Sequence, residues 1–326
     1  MSRARLGVLV LGPMLIVATT VAGAYRFDPR LRAPADPDVA RTAALVPEGL
    51  PAAAAKDAQT AVPAALGEEC GAAAGELRRK LDQDCEVIMR PPFVVGGDMR
   101  AEKLEAWYRD TIEPAARALW ASFFERRPSR PLTVLLLREE KSYRRYAKEI
   151  FGDEQVAYFG YYKPSRRALV MNISTGGGTL VHELTHALME ADFPAVPDWF
   201  NEGLASLYEQ CRFTADGQGI EGLENWRLPM LKQAIREGRL RPLAELISAN
   251  DFRGEHEALN YAQARYFCLY MQRQGVLAEF YRLLRDGHGE PKDGLVVVRQ
   301  VFGGKSVADV DREFRRWVAT LKYEGR

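Results

Sequence analysis

Histidine and cysteine are scarce in this chain, with four of each among 326 residues. With so few histidines, two of them at a metal-binding spacing seldom arise by accident, on the order of once in several hundred such chains. The cysteine spacing (residues 70, 85, 211 and 268) does not resemble a zinc site. Net charge is also nearly absent, since 45 Lys and Arg balance 44 Asp and Glu. That balance gives no reason to expect nucleic acid or an acidic membrane surface as a partner. Aromatic residues are almost missing from about residue 30 to 67, where Ala, Pro and Asp dominate. Such a stretch cannot bury enough apolar surface to offset the entropy of ordering, so residues 25–67 read as a disordered linker. Internal repeats are lacking too, and beyond the linker the composition is that of a globular protein, 47% hydrophobic and 27% charged.

One long uncharged run is present. Residues 6–24 follow Arg3 and Arg5 and end in Ala22-Gly23-Ala24. This is the pattern of an export signal, and its length leaves two readings open: cleavage after Ala24, or an uncleaved membrane tether through residues 6–24. Either places the folded part outside the cytoplasm, in a periplasmic or extracellular setting. Four cysteines in an oxidising compartment then predict local disulfides, Cys70 with Cys85 and Cys211 with Cys268, against the alternative of buried thiols.

The folded region is expected over residues 68–326. Its first portion, 68–157, alternates helical and strand patterns: a helix to about residue 84, a strand-like run over 87–95, a long helix over 100–125, a buried strand over 131–137 and a helix over 139–151. Residues 158–162 and 167–173 read as a hairpin joined by Lys163-Pro164-Ser165. Downstream of residue 210 the pattern is helical, with the clearest helices over 225–236, 258–285 and 307–321. The fold class is therefore α+β, a small mixed or antiparallel sheet followed by a mostly helical C-terminal portion, 211–326.

The centre of the chain, 158–210, carries the chemistry. In His182-Glu183-Leu184-Thr185-His186 two histidines four apart lie on one helix face and can aim both imidazoles at one metal ion. Glu183 between them can reach a water molecule as general base, and zinc lowers such a water's pKa to about 7. Gly176-Gly177-Gly178 breaks the chain just before this helix. A catalytic zinc needs a third protein donor, and Glu202 is the best placed by sequence, because Pro194 and Pro197 let a second helix return beside the first. Glu190, Asp192 and Glu209 are rival donors.

His182 to His186, followed by Trp199-Phe200-Asn201-Glu202-Gly203-Leu204-Ala205, resembles the gluzincin, or peptidase MA-like, superfamily. The resemblance implies a zincin-like fold, one Zn2+ per chain held by His182, His186 and Glu202, and Glu183 as general base. It implies hydrolysis of a peptide or protein substrate held along the strand before the metal helix, that is by Ala168, Leu169, Val170, Met171 and Asn172. It also implies a downstream oxyanion donor, for which Tyr261 is the first candidate and His256, Tyr266 and Tyr162 the alternatives. Ser206 stands where thermolysin-like members carry an acid, and no Gly-x-Met-Glu-Asn segment precedes the metal helix, which points to an endopeptidase rather than an aminopeptidase. The alternative from another class is a catalytically silent zinc-binding module with a scaffolding role in the cell envelope. Asn172-Ile173-Ser174 matches a glycosylation acceptor, read here as coincidence.

Overall fold

Residues 132–137, Leu-Thr-Val-Leu-Leu-Leu, are apolar on both sides and become the middle strand of a sheet covered on both faces. The computed structural model of the protein describes residues 63–157, 159–287 and 294–323. In it β1 (Glu86–Arg90), β2 (Phe93–Gly97), β3 (Leu132–Leu137), β4 (Gly160–Lys163) and β5 (Ala168–Asn172) form one mixed sheet in the order β1-β2-β3-β5-β4. The outer pairs β1–β2 and β4–β5 are antiparallel, whereas β2–β3 and β3–β5 are parallel. Because side chains alternate along a strand, Val95, Val134, Leu136, Leu169 and Met171 enter one core while Val94, Leu135, Leu137 and Val170 enter another.

The second core is closed by α1 (Ala64–Lys80) and α4 (Glu140–Phe151). The first and larger core is covered by α2 (Ala101–Trp107), a π-helical turn (Tyr108–Ile112), α3 (Glu113–Ser122) and α5 (Gly178–Asp192). It continues into the helical portion: α6 (Asp198–Leu207), the small hairpin β6 (Cys211–Phe213) and β7 (Ile220–Gly222), α7 (Leu228–Arg236), α8 (Leu243–Ser248), α9 (Glu257–Arg273), α10 (Leu277–Asp286), α11 (Gly294–Val301) and α12 (Val307–Thr320). The fold is thus α+β with a small mixed sheet and a mostly helical C-terminal portion. No helix among the described residues is long and apolar enough to cross a membrane. The export segment and nearly all of the linker read from the sequence lie outside the described residues.

Several boundaries differ from expectation, each for a local reason. The first helix starts at Ala64, so the expected linker end at residue 67 falls inside α1, where Leu66 and Cys70 are already buried. The strand-like run over 87–95 is a hairpin rather than one strand, because Pro91-Pro92 offer no N–H to a ladder and turn the chain between β1 and β2. The helix expected over 258–285 is two helices, α9 and α10, divided at Gly275, whose left-handed φ of 73° ends the first. The expected disulfides are not formed, and all four cysteines are free thiols. Cys85 Sγ lies 3.1 Å from the Tyr146 hydroxyl, and Cys70 and Cys268 are fully buried in separate cores. Cys268 packs where α9 crosses α6 at Gly203, and a Cβ added to that glycine would lie 3.0 Å from both its sulfur and the Ala264 carbonyl.

Candidate metal centre

The metal helix α5 is buried almost all round, with Leu180, Leu184, Ala187 and Leu188 in the core as its 3.6-residue period demands. Packing therefore fixes the face that carries His182 and His186. α6 is anchored at its start by aromatic contacts: Trp199 lies edge-on to Phe200 and Phe280, and Phe200 stacks on Tyr281. This anchoring brings Glu202, three residues beyond Trp199, against the two imidazoles.

Three donor atoms converge there. His182 Nε2 and His186 Nε2 are 3.0 Å apart, and Glu202 Oε2 lies 3.6 Å and 3.5 Å from them. All three side chains are buried. A tetrahedral zinc with bonds of about 2.0–2.1 Å sets its ligand atoms about 3.3 Å apart, so the donor spacing fits such an ion. Of the ring nitrogens that face away from the centre, His186 Nδ1 is 2.7 Å from Asn201 Oδ1, and His182 Nδ1 is 3.1 Å from Glu209 Oε1, close enough for an ion pair but outside hydrogen-bond alignment. A proton on Nδ1 of each ring would leave the Nε2 lone pair for a metal ion, the tautomer that metal binding requires.

The electrostatics agree with the geometry. Burial would depress the His182 imidazolium, but Glu202, Glu209 and Glu183 outweigh it and push its pKa up to about 10. Burial would raise Glu202, yet His186, His182 and Arg253 hold it well below the usual carboxylate range. Against the same burial, Arg227 and His182 bring Glu209 down to about 2. Carboxylates around two imidazoles in a buried site select for a cation.

The rival donors sort themselves. Asp192 is taken by the Glu125 and Arg126 backbone N–H groups, the Tyr281 hydroxyl and Arg285. Glu190 is not part of the donor cluster, which consists of His182, His186 and Glu202. Glu209 stands behind His182 rather than inside the centre. α6 ends at Leu207, the chain turns, and Glu209 comes back beside the start of α5. Gly178 permits this approach, since a Cβ there would sit 2.4 Å from the Glu209 carbonyl oxygen. Arg227 pairs with Glu209 from the other side. Glu209→Gln is accordingly expected to weaken zinc affinity about 10- to 100-fold, read by competition with a chelating dye, and unchanged affinity would deny Glu209 its orienting role.

No family model matches the chain, and no curated protein matches it.

Glu183 Oε2 accepts a 2.8 Å hydrogen bond from the Tyr162 backbone N–H on β4. The expected substrate strand lies inside the sheet. Ala168, Leu169, Val170, Met171 and Asn172 form β5, which is paired with β3 on one side and β4 on the other and is buried throughout. Both of its edges are used, so no extended chain can add to it. The edge strand next to α5 is β4. Its Phe159 end pairs with β5 through the Asn172 N–H, and by alternation the Gly160 and Tyr162 backbone groups face outward. Asn172 is buried and its Oδ1 accepts from the Ser174 N–H and hydroxyl, so it caps a turn and presents no acceptor for a glycan.

Of the expected oxyanion donors, Tyr266 is committed elsewhere: its hydroxyl donates to the Asn225 carbonyl and accepts from the Asn225 N–H. His256 is exposed just before α9. Tyr162 buries its ring in the core. Tyr261 lies beside the third donor, with burial and then the charge of Glu202 pushing its phenol well above the ordinary value. Its hydroxyl accepts a 3.2 Å bond from Arg253 Nη1, while Arg253 Nη2 donates to Glu202 Oε1 at 2.5 Å. Asn201, Arg227 and Arg253 were not read from the sequence. Asn201 adjoins Glu202 in the sequence, Arg227 caps the start of α7 and Arg253 sits in the segment before α9, and none of the three has a motif of its own.

Proposed function

We propose that this chain is an exported zinc-dependent peptidase of the gluzincin type, acting as an endopeptidase on peptide or protein substrates. The observation that carries the reading is the convergence of His182, His186 and Glu202 on one point, with Glu183 on the same helix hydrogen-bonded to the edge strand. A zinc ion held by these three residues would supply Lewis acidity and bring the pKa of water into the neutral range.

The chain's own groups account for the rest. Glu183 accepts a proton from the attacking water at its carboxylate and delivers it to the leaving amine. The Tyr162 N–H keeps that carboxylate in one orientation, so little reorganisation is needed at the moment of transfer. The outward backbone groups of Gly160 on the β4 edge offer hydrogen bonds to an extended peptide, which fixes its scissile bond relative to Glu183. The Tyr261 hydroxyl, beside Glu202 and polarised by Arg253, donates a hydrogen bond to the developing oxyanion, a contribution of roughly 3 kcal/mol at comparable sites. The test is cleavage of a peptide library by the zinc-loaded chain and by Glu183→Gln. Cleavage by the wild type, lost by about three orders of magnitude or more in a variant that keeps its zinc and its melting temperature, is the expected result. Equal cleavage by both would remove Glu183 from the chemistry, and no cleavage by either would remove the peptidase reading.

A further inference from the structure

On the sheet face remote from α5, a cavity of about 750 Å3 opens between α1, α4, the start of β3 and the β4–β5 turn. Five cations line it, Arg79, Lys80, Arg130, Arg166 and Arg167, against two carboxylates, Glu69 and Glu76. Lys80 is paired with Glu76 at 2.6 Å. Among the described residues the four arginines have no carboxylate within ion-pair distance, in contrast to Arg145, Arg227, Arg253 and Arg285, which are all paired.

Arg167 is the most unusual of them. It is the single described non-glycine residue with a left-handed backbone, φ 46°, and it is half-buried with its Nε enclosed and without a hydrogen-bond partner. A backbone conformation that costs on the order of 1 kcal/mol, combined with an orphaned buried donor, recurs where a chain holds a side chain ready for a ligand. Several guanidinium groups around one space match the tetrahedral, multiply charged oxygens of phosphate better than a single carboxylate. The remaining wall is apolar, formed by Leu77, Ile150 and Phe151, and the volume is that of a small-ligand site, too small for a nucleic-acid strand.

We propose that this cavity binds a phosphate ester carrying a short apolar portion, with Arg167 and Arg130 as its principal donors. Two sources share that chemistry, a soluble phosphorylated compound and the headgroup of an anionic phospholipid, the latter suggested by the apolar run at residues 6–24 of the same chain.

The experiment is titration calorimetry on the full chain with two probes, inorganic pyrophosphate and dihexanoylphosphatidylglycerol kept below its micelle concentration. Binding of at least one probe is expected, and the one bound more tightly identifies the source. Arg167→Gly suits the left-handed φ and should leave the melting temperature unchanged or raised while weakening binding about tenfold. Arg130→Gln, at an exposed position, should weaken it further when combined. Absence of binding by both probes, or undiminished affinity in the double variant, would overturn the proposal. None of these outcomes depends on the metal centre, which lies across the sheet.

Discussion

Glu202→Ala is expected to strip the purified chain of zinc, from one ion per chain to a small fraction of that by elemental analysis. The reason is geometric. His182 and His186 come from one helix and by themselves form a two-donor clamp, and Glu202, held by a second helix, converts it into a three-donor centre with one position left for water. Truncation removes the only anionic donor of the cluster and the carboxylate that Arg253 Nη2 bonds. His186→Ala should have the same effect on zinc. Because the proposed zinc site is assembled only in the folded chain, chelation of the wild type should lower its melting temperature, and that shift should vanish in Glu202→Ala. Full zinc occupancy in both variants would place the ion elsewhere.

The second large effect concerns stability, away from the metal. Asp192, buried at the end of α5, gathers the Glu125 and Arg126 N–H groups, the Tyr281 hydroxyl at 2.6 Å and Arg285 at 3.0 Å. It joins the end of α3, the metal helix and α10 at one point. Asp192→Asn keeps the shape but removes the charge beside a largely buried guanidinium, and should cost about 3 kcal/mol, seen as a lower urea midpoint at constant slope. The acid limb of stability should change as well. Burial would raise this carboxyl, but the hydrogen bonds from Tyr281, Arg126 and Arg285 leave it below its ordinary value. A group depressed in the folded state contributes fully above its unfolded pKa of about 3.9, and the contribution fades as pH falls through the folded value. Wild type should therefore lose more stability than Asp192→Asn on acidification below about pH 4. Parallel acid limbs would show that Asp192 carries no such linkage.

The metal helix, the loop after it and the choice of Glu202 were legible in the sequence because each rests on local rules. A four-residue spacing sets two side chains on one helix face, prolines force a turn, and a three-glycine break announces a helix start. The helical C-terminal portion followed from periodicity in the same way. What failed was everything decided by pairing between distant segments. Residues 168–172, Ala-Leu-Val-Met-Asn, are a continuous apolar run and 160–163 are Gly-Tyr-Tyr-Lys, yet neither says which distant strand completes the sheet. That depends on β3 taking the far side of β5 through a parallel register, Leu135 opposite Val170. The cysteines were misjudged for the same reason, since Cys70 and Cys85, close in sequence, are directed to different neighbours by the packing of α1 and α4.

The sequence by itself thus determined that His182, Glu183 and His186 share one helix, because a helix converts residue spacing directly into geometry. Only the tertiary structure decided what orients them. Glu209 reaches His182, Asn201 meets His186, Tyr162 holds Glu183 and Arg253 braces Glu202 through contacts made when separate elements pack together. Such contacts are set by the shape of the whole core, through close approaches such as that at Gly178, and leave no periodic trace along the chain.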